Sequence, residues 1–375
     1  MNPFFEIIYT SKRSRARVGR IHTAHGIIDT PGFVAVGTNG TLKALDNHVA
    51  QEIGLQLMFC NTYHMLLQPG TEVVKAAGGL HRFIQRSGPI ITDSGGFQVF
   101  SLMYGSIADE LKGKGKRKSN GGVLKITEEG VLFRSYRDGK KLLLTPESSI
   151  EAQKNLGADI IIPLDELPPY HIDKSSLLES FERTHRWEER SLQEHSKNLC
   201  NQAIYAVVHG GTDLELRRKS SEFLSERPFD GFAIGGSLGK TRREMVEMLR
   251  STLPLLPLNR PIHLLGIGDP PSLEECVPLG IDTFDSSYPT RSARHGIAFT
   301  KSGSINLTRT ALARDFSPID PSCSCPTCQK FHVAYLHHLF KARELSAQTL
   351  TSVHNLYFMI ELMCSYRREI MDDKI

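Results

Sequence analysis

Asp159-Ile160-Ile161-Ile162-Pro163-Leu164 runs directly into Asp165-Glu166, an apolar stretch that ends on two carboxylates. The pattern recurs along the chain. Leu57-Met58-Phe59-Cys60 is followed by Asn61-Thr62-Tyr63-His64, and Pro89-Ile90-Ile91-Thr92 by Asp93-Ser94-Gly95-Gly96. Ala203-Ile204-Tyr205-Ala206-Val207-Val208 leads to His209-Gly210-Gly211, and Gly231-Phe232-Ala233-Ile234 to Gly235-Gly236. Ile262-His263-Leu264-Leu265 precedes Gly266-Ile267-Gly268, and Ile281-Asp282-Thr283-Phe284 precedes Asp285-Ser286. Near-continuous apolar runs of this length read as parallel strands covered on both faces. Amphipathic stretches lie between them, at Pro146–Leu156, Ser176–Lys197, Leu214–Leu224 and Arg242–Leu253, and read as helices. Seven or eight such steps over about 250 residues predict an α/β fold, a closed (β/α)8 TIM barrel. Catalytic groups of such barrels sit at the C-terminal ends of the strands. A single Asp or Gly there also serves a turn or an N-cap, but a full set of such strand ends favours a functional site.

Two segments break the alternation. Between Ser106 and Leu144 lies the run Lys112-Gly113-Lys114-Gly115-Lys116-Arg117-Lys118, then a hairpin whose turn is Asp138-Gly139. A glycine-spaced basic run reads first as a solvated loop; beside an RNA substrate it also offers phosphate contacts. The second break is 306–375, with a cysteine cluster and helices at Ala334–Lys341 and Thr349–Met371. The expected division is a barrel with N-terminal strands over 1–305, interrupted near 106–144, and a zinc-binding C-terminal insert with its helices over 306–375.

The chain has 375 residues, 45 lysines and arginines against 41 aspartates and glutamates, and a net charge of +4. Hydrophobic residues make up 40% and charged residues 23%, which excludes a chain-wide disordered polymer, and no apolar run is long enough to span a membrane. The first ten residues lack a basic then apolar leader, so a cytoplasmic protein is expected.

Of seven cysteines, three fall in Cys323-Ser324-Cys325-Pro326-Thr327-Cys328. That crowding fits a reducing compartment and a metal site rather than a disulfide scaffold. Three thiolates plus one histidine complete the tetrahedron that structural zinc prefers. Spacing leaves His332, His337, His338 and His354 open as the fourth ligand. The lone Gly266-Ile267-Gly268 lacks a complete dinucleotide fingerprint, and no redox cofactor is expected.

Several longer motifs resemble those of tRNA-guanine transglycosylases. They are Thr92-Asp93-Ser94-Gly95-Gly96-Phe97-Gln98-Val99-Phe100-Ser101-Leu102 and Phe284-Asp285-Ser286-Ser287-Tyr288-Pro289-Thr290-Arg291-Ser292-Ala293-Arg294-His295-Gly296, with Asn61-Thr62-Tyr63-His64, Gln68-Pro69-Gly70 and Thr145-Pro146-Glu147-Ser148-Ser149-Ile150. The resemblance runs from about Gly19 to His354. It implies a zinc-carrying barrel acting as a homodimer that exchanges the wobble guanine of GUN-anticodon tRNAs for a 7-deazaguanine. By the same resemblance Asp285 is the nucleophile and Asp93 the general acid/base, and Cys323, Cys325, Cys328 and His354 hold the zinc. Arg291 and Arg294 read the flanking anticodon-loop uridines, and Asp165 grips the amidine edge of the base. Ser94, Phe97, Gly236 and Leu265 line the pocket, with Phe97 and Leu265 sandwiching the heterocycle.

The chemistry is consistent on its own terms. Base exchange with retention needs two inversions at the anomeric carbon, hence a carboxylate nucleophile and a second carboxylate for proton transfer. Two such carboxylates in a buried cleft are expected to have split pKa values. The exchanged base must leave its stack, and arginines suit the unstacked bases of an RNA loop. A non-catalytic, RNA-binding relative of these enzymes would be expected to lose Asp93 and Asp285, and both are present. A glycosidase on the same barrel accounts for neither the zinc insert nor the arginines.

Three positions depart from the family pattern. His209 occupies a slot where Gln is usual, Leu167 one where bacterial members often carry Cys, and Lys240 one where Glu is common. The loop Gly235-Gly236-Ser237-Leu238-Gly239-Lys240 is also one residue shorter. The Glu supports a peptide orientation favouring the aminomethyl base preQ1, so queuine, the bulkier cyclopentenediol-bearing base, is the expected preference. An archaeal-type member is not expected, because no further RNA-binding domain follows the cysteine region.

Overall fold

A computed structural model of the chain describes residues 3–104, 122–170, 172–198 and 200–375. The basic run Lys112–Lys118 lies outside the described residues. Three antiparallel strands come first, β1 (Phe5–Thr10), β2 (Arg17–Thr23) and β3 (Gly26–Thr30). The barrel then begins with β4 (Gly32–Val36), β5 (Leu57–Cys60) and β6 (Ile90–Thr92). An inserted antiparallel sheet follows, β7 (Val123–Ile126), β8 (Val131–Arg134) and β9 (Lys141–Leu144), in which Ser135 accepts the N–H of Gly139 across the expected hairpin turn. The barrel resumes with β10 (Ile160–Ile161), β11 (Ala203–Val208), β12 (Gly231–Ile234), β13 (Ile262–Leu264) and β14 (Thr283–Ser286). All eight barrel strands are parallel, and β14 pairs with β4 to close the ring. A hairpin, β15 (Ile297–Thr300) and β16 (Gly303–Asn306), leads to the cysteine region.

The period of two along each strand divides two cores. Val34, Leu57, Phe59, Ile91, Ile160, Tyr205, Val207 and Ala233 fill the lumen, and Phe5, Ile21 and Ile28 of the N-terminal sheet pack onto them. Ala35, Met58, Ile90, Ile161, Ala206, Val208, Phe232, Leu264 and Phe284 face the surrounding helices. Among those helices Pro146–Leu156 begins with a capping box, Thr145 and Ser148 bonding reciprocally, and ends on Gly157 in the left-handed region.

Four strands differ from their expected bounds, β6 and β13 by one residue each. β10 is only two residues long, because Gln153 takes the N–H and the carbonyl of Ile162 at 2.9 and 2.8 Å, and Pro163 after it has no N–H to donate. β14 runs from Thr283 to Ser286 rather than from Ile281 to Phe284, because Asp285 and Ser286 continue the pairing with Val34 and Ala35 of β4. β4 was not among the expected strands; it follows directly from the N-terminal sheet, so no helix before it announces a βα step. The 27-residue helix Leu345–Met371 buries Leu356, Met359, Met363 and Ile370 against the outer barrel core. Its Asn355 donates to the carbonyls of Pro289 and Ile297 at 3.0 and 2.9 Å and accepts from Phe299 N–H at 2.9 Å, tying the end of the chain to the segment after β14. Among the described residues no helix is long and apolar enough to cross a membrane.

Candidate active site and metal centre

Asp93 follows β6 and is buried. Its Oδ1 accepts the N–H of Thr62 at 2.7 Å, and its Oδ2 accepts Asn61 Nδ2 at 2.7 Å and Gln98 Nε2 at 2.9 Å. Burial pushes the carboxyl above its ordinary range, outweighing those donors. Asp93 is therefore oriented on both oxygens and biased toward holding a proton.

Asp285 is built differently. It lies on β14, two residues from Thr283 and so on the same lumen-facing side. Its Oδ1 accepts Gly266 N–H at 2.7 Å and lies 3.1 Å from His263 Nε2. His263 is fully buried on the neighbouring strand, and its Nδ1 lies 2.8 Å from Thr283 Oγ1. Among the described residues Oδ2 of Asp285 makes no hydrogen bond. One oxygen is anchored and the other is free, the arrangement a carboxylate nucleophile requires.

Of the expected base-binding residues, Ser94, Asp165, His209 and Gly236 adjoin one another, on strand ends that lie between these two carboxylates in the barrel order. Ser94 Oγ donates to Asp165 Oδ1 at 3.3 Å. His209 Nε2 lies 3.4 Å from Asp165 Oδ2 without a hydrogen bond of its own. A Cβ on Gly236 would stand 3.5 Å from His209 Nδ1, so the β11 and β12 loops meet there. Gly96 must be glycine for a close approach, since a Cβ would come within 2.9 Å of the Asp165 carbonyl oxygen. Phe97 is 42% exposed at the rim after β6, and Leu265 is half-buried after β13. Lys240 reaches over the ring of Tyr170 at 4.7 Å, and its backbone N–H donates to Glu244 Oε2 at 2.7 Å. Leu167 packs beside the aromatic cluster of Tyr63 and Trp187.

Arg291 and Arg294 lie on the helix Tyr288–Arg294, immediately after β14. Neither pairs with a carboxylate among the described residues, and Arg294 Nη1 is buried without an acceptor. Burial first, then the charge of Arg291, lowers the pKa of Arg294. Two adjacent cations without counter-ions beside Asp285 form a receptor for anionic or acceptor-rich groups.

Several residues here escaped sequence reading. His263 was signalled only as a polar residue inside an apolar strand. Arg217, on the helix Leu214–Ser225, is fully buried and has no carboxylate partner among the described residues; it donates to the carbonyls of Gly211, Val208, Gly235 and Ser237 at 2.9, 2.6, 2.9 and 3.1 Å. It thereby knits together the two loops that carry His209 and Gly236. Glu188, buried behind β11, accepts Val207 N–H at 3.2 Å. Burial and then the charge of Asp165 push its pKa well above the carboxylate range.

The metal cluster gathers far along the chain. Cys323, Cys325 and Cys328 place Sγ at 3.7, 3.4 and 3.3 Å from His354 Nδ1. A tetrahedral zinc with Zn–S of about 2.3 Å and Zn–N of about 2.0–2.1 Å has S···N edges of about 3.6 Å, so the donor set fits. His354 Nε2 is 2.6 Å from the Phe299 carbonyl. That bond puts the proton on Nε2 and leaves the Nδ1 lone pair facing the thiolates. His332, His337 and His338 are not in the cluster; His332 caps its own helix and His337 bonds the Leu307 carbonyl.

The family model described as "Queuine tRNA-ribosyltransferase" matches residues 12–375. A protein of that name from Protochlamydia amoebophila (strain UWE25) is 68% identical over 371 residues, covering 99% of this chain and 96% of the relative. One from Chlamydia abortus (strain DSM 27085 / S26/3) is 55% identical over 372 residues, covering 99% of both. One from Chlamydia trachomatis serovar L2 is 52% identical over 372 residues, again covering 99% of both. Identity at this level over nearly every residue reaches well beyond a shared barrel, and the chain belongs to the tRNA-guanine transglycosylase family, the queuine tRNA-ribosyltransferases.

Proposed function

We propose that this protein exchanges the wobble guanine of GUN-anticodon tRNAs for a 7-deazaguanine through a covalent ribosyl–Asp285 intermediate. The free Oδ2 of Asp285, beside an Oδ1 anchored by Gly266 and His263, carries the reading. Oδ2 attacks the ribose anomeric carbon as the bond to guanine breaks, and Asp93 gives its proton to the departing base. Asp93 then takes a proton from the incoming base, whose nitrogen attacks the same carbon and frees the Asp285 carboxylate. The two inversions leave the glycosidic configuration unchanged. Asp93 suits the proton role because three donors immobilise it and burial raises its pKa. Asp165 accepts from the amidine N–H groups of the base in a charge-assisted pair, and Ser94 and His209 position it. Arg291 and Arg294 take the flanking uridines.

The Cys3His cluster holds a structural zinc. All four positions are protein ligands, and the cluster ties the β15–β16 segment to the C-terminal helix. The protein acts in the cytoplasm as a homodimer, as the family resemblance implies; Phe316, Tyr335 and Leu345 of the C-terminal region are exposed apolar side chains that a second copy would cover.

Replacing Asp93 by Asn is expected to lower the exchange rate by about 10²–10⁴-fold, the range of a lost general acid/base. Single-turnover release of labelled guanine measures it, and an unaltered rate removes Asp93 from the mechanism.

Queuine is the preferred base. The reading rests on the 235–240 loop, one residue shorter than the family's, and on Lys240, which stands where a Glu would support the peptide orientation that favours the aminomethyl base and here lies over the ring of Tyr170. The test is guanine release from a tRNA with a uridine-guanine-uridine anticodon loop, queuine and preQ1 being offered separately and in competition. The expected result is a higher kcat/KM for queuine, with Lys240→Glu moving the ratio toward preQ1. A wild-type preference for preQ1 overturns the base assignment and leaves the exchange chemistry standing. Failure to release or exchange guanine with any base would instead mark a binding subunit.

A further inference from the structure

A second cluster of ligand-type side chains lies at the opposite end of the barrel from Asp93 and Asp285. Asp159 immediately precedes β10, and its side chain is fully buried. His25, in the turn between β2 and β3, places Nδ1 at 2.8 Å from Oδ1. His81, on the short helix Leu80–Phe83, places Nε2 at 3.1 Å from Oδ2. The three ligand atoms lie within 4.8 Å of one another. We propose that His25, His81 and Asp159 form a second metal site, which takes a divalent first-row cation of the zinc–nickel class with water completing its shell.

The chemistry of the donor set selects the ion. Two imidazoles and one carboxylate favour borderline transition cations over calcium or magnesium, which prefer all-oxygen shells. The carboxylate is already held in place: His25 Nδ1, His81 Nε2 and the Ile90 N–H are all directed at its two oxygens, at 2.8, 3.1 and 2.9 Å. A bound cation would have to displace the protons that His25 Nδ1 and His81 Nε2 direct at the carboxylate. Among the described residues neither His25 Nε2 nor His81 Nδ1 is hydrogen-bonded, so each ring can carry its proton there instead. The rings also stack, with centroids 3.4 Å apart and planes 12° from parallel.

Access is open. The His25 side chain is 39% exposed, and a cleft of about 300 Å³ lined by His22, Cys200, Asp230 and Asp159 opens beside the cluster. Because the rings are nearly parallel, His25 must pivot to aim its lone pair at an ion shared with His81, and its exposed turn allows that. The ion would cross-link the N-terminal sheet, the Leu80–Phe83 helix and the entrance of β10. Residues at this end of a barrel serve stability rather than catalysis, so its effect is expected on melting and not on exchange.

The test is zinc stoichiometry of the tag-free full chain after equilibrium dialysis, with cobalt as a spectroscopic probe. Two equivalents are expected in the wild type and one each in His25→Ala and His81→Ala. The first cobalt equivalent carries thiolate charge-transfer absorption, and the second adds only weak d–d bands. Added zinc should raise the wild-type melting midpoint by a few degrees and leave both variants unchanged, and His25→Ala should retain full exchange activity. A single equivalent in the wild type, or a second equivalent that survives both substitutions, overturns the proposal.

Discussion

Replacing Asp285 by Ala is expected to reduce base exchange by about 10⁴-fold or more, the loss typical of an enzyme deprived of its nucleophile. The reason is geometric. Gly266 N–H and His263 hold one oxygen, and among the described residues the other carries no hydrogen bond and is left to attack. Asp93 cannot take over, since both its oxygens are engaged by Thr62, Asn61 and Gln98. Binding of tRNA should survive, because Arg291 and Arg294 sit on the following helix and need no contact with Asp285. The measurement pairs guanine release with a filter-binding assay and a denaturing gel for the covalent tRNA adduct. Exchange at the wild-type rate, or an adduct persisting in the variant, would remove Asp285 from the nucleophile's role. Loss of tRNA binding in parallel would mean that the substitution had disturbed the site as a whole.

The second large effect concerns stability. Arg17 on β2 donates through Nε and Nη2 to the two oxygens of Asp282 at 2.9 and 2.5 Å, and their side chains are only 4% and 0% exposed. The guanidinium also bonds the carbonyls of Leu258 and Arg260, and Asp282 accepts Ile262 N–H at 2.7 Å. The pair thus joins the N-terminal sheet to the entrance of β14. Arg17→Ala strands a buried carboxylate and should cost about 3–5 kcal/mol in urea unfolding at neutral pH.

The sign of its pH dependence follows from Asp282. Burial already raises its pKa against the pull of Arg17, and removing the arginine raises it further. Between the unfolded and folded pKa values the folded state then binds more protons, so stability falls as pH rises through that window. The deficit should be largest at neutral pH and shrink as the medium is acidified toward the unfolded value. The charge-free double variant Arg17→Met with Asp282→Asn, which keeps an acceptor for Ile262, should recover most of the loss. A neutral-pH deficit below about 1 kcal/mol would show that the pair is not buried in solution as described.

The amino-acid sequence by itself determined the repeating unit. Apolar runs covered on both faces can be read without tertiary information, because burial on two sides removes the polar alternation of a half-exposed strand. The helix at Pro146–Leu156 was legible to the residue, since its Thr145 cap and terminal Gly157 are local signals. The cysteine triplet was equally local. Its histidine was not: His354 enters from a helix that begins more than fifteen residues after Cys328, and spacing alone left four candidates.

Only the tertiary structure decided which strand residues face the lumen. β14 runs past its expected end because Asp285 and Ser286 pair with Val34 and Ala35 of β4, a strand from near the start of the chain, and that places Asp285 within the strand instead of beyond it. The same holds for His263, Arg217 and the empty lone pairs of Asp285 Oδ2. Hydrogen-bond partners that come from other strands leave no periodic trace in a sequence, because they are selected by closure of the barrel. The sequence names the strands and the chemistry at their ends, and closure of the ring chooses which of those groups meet.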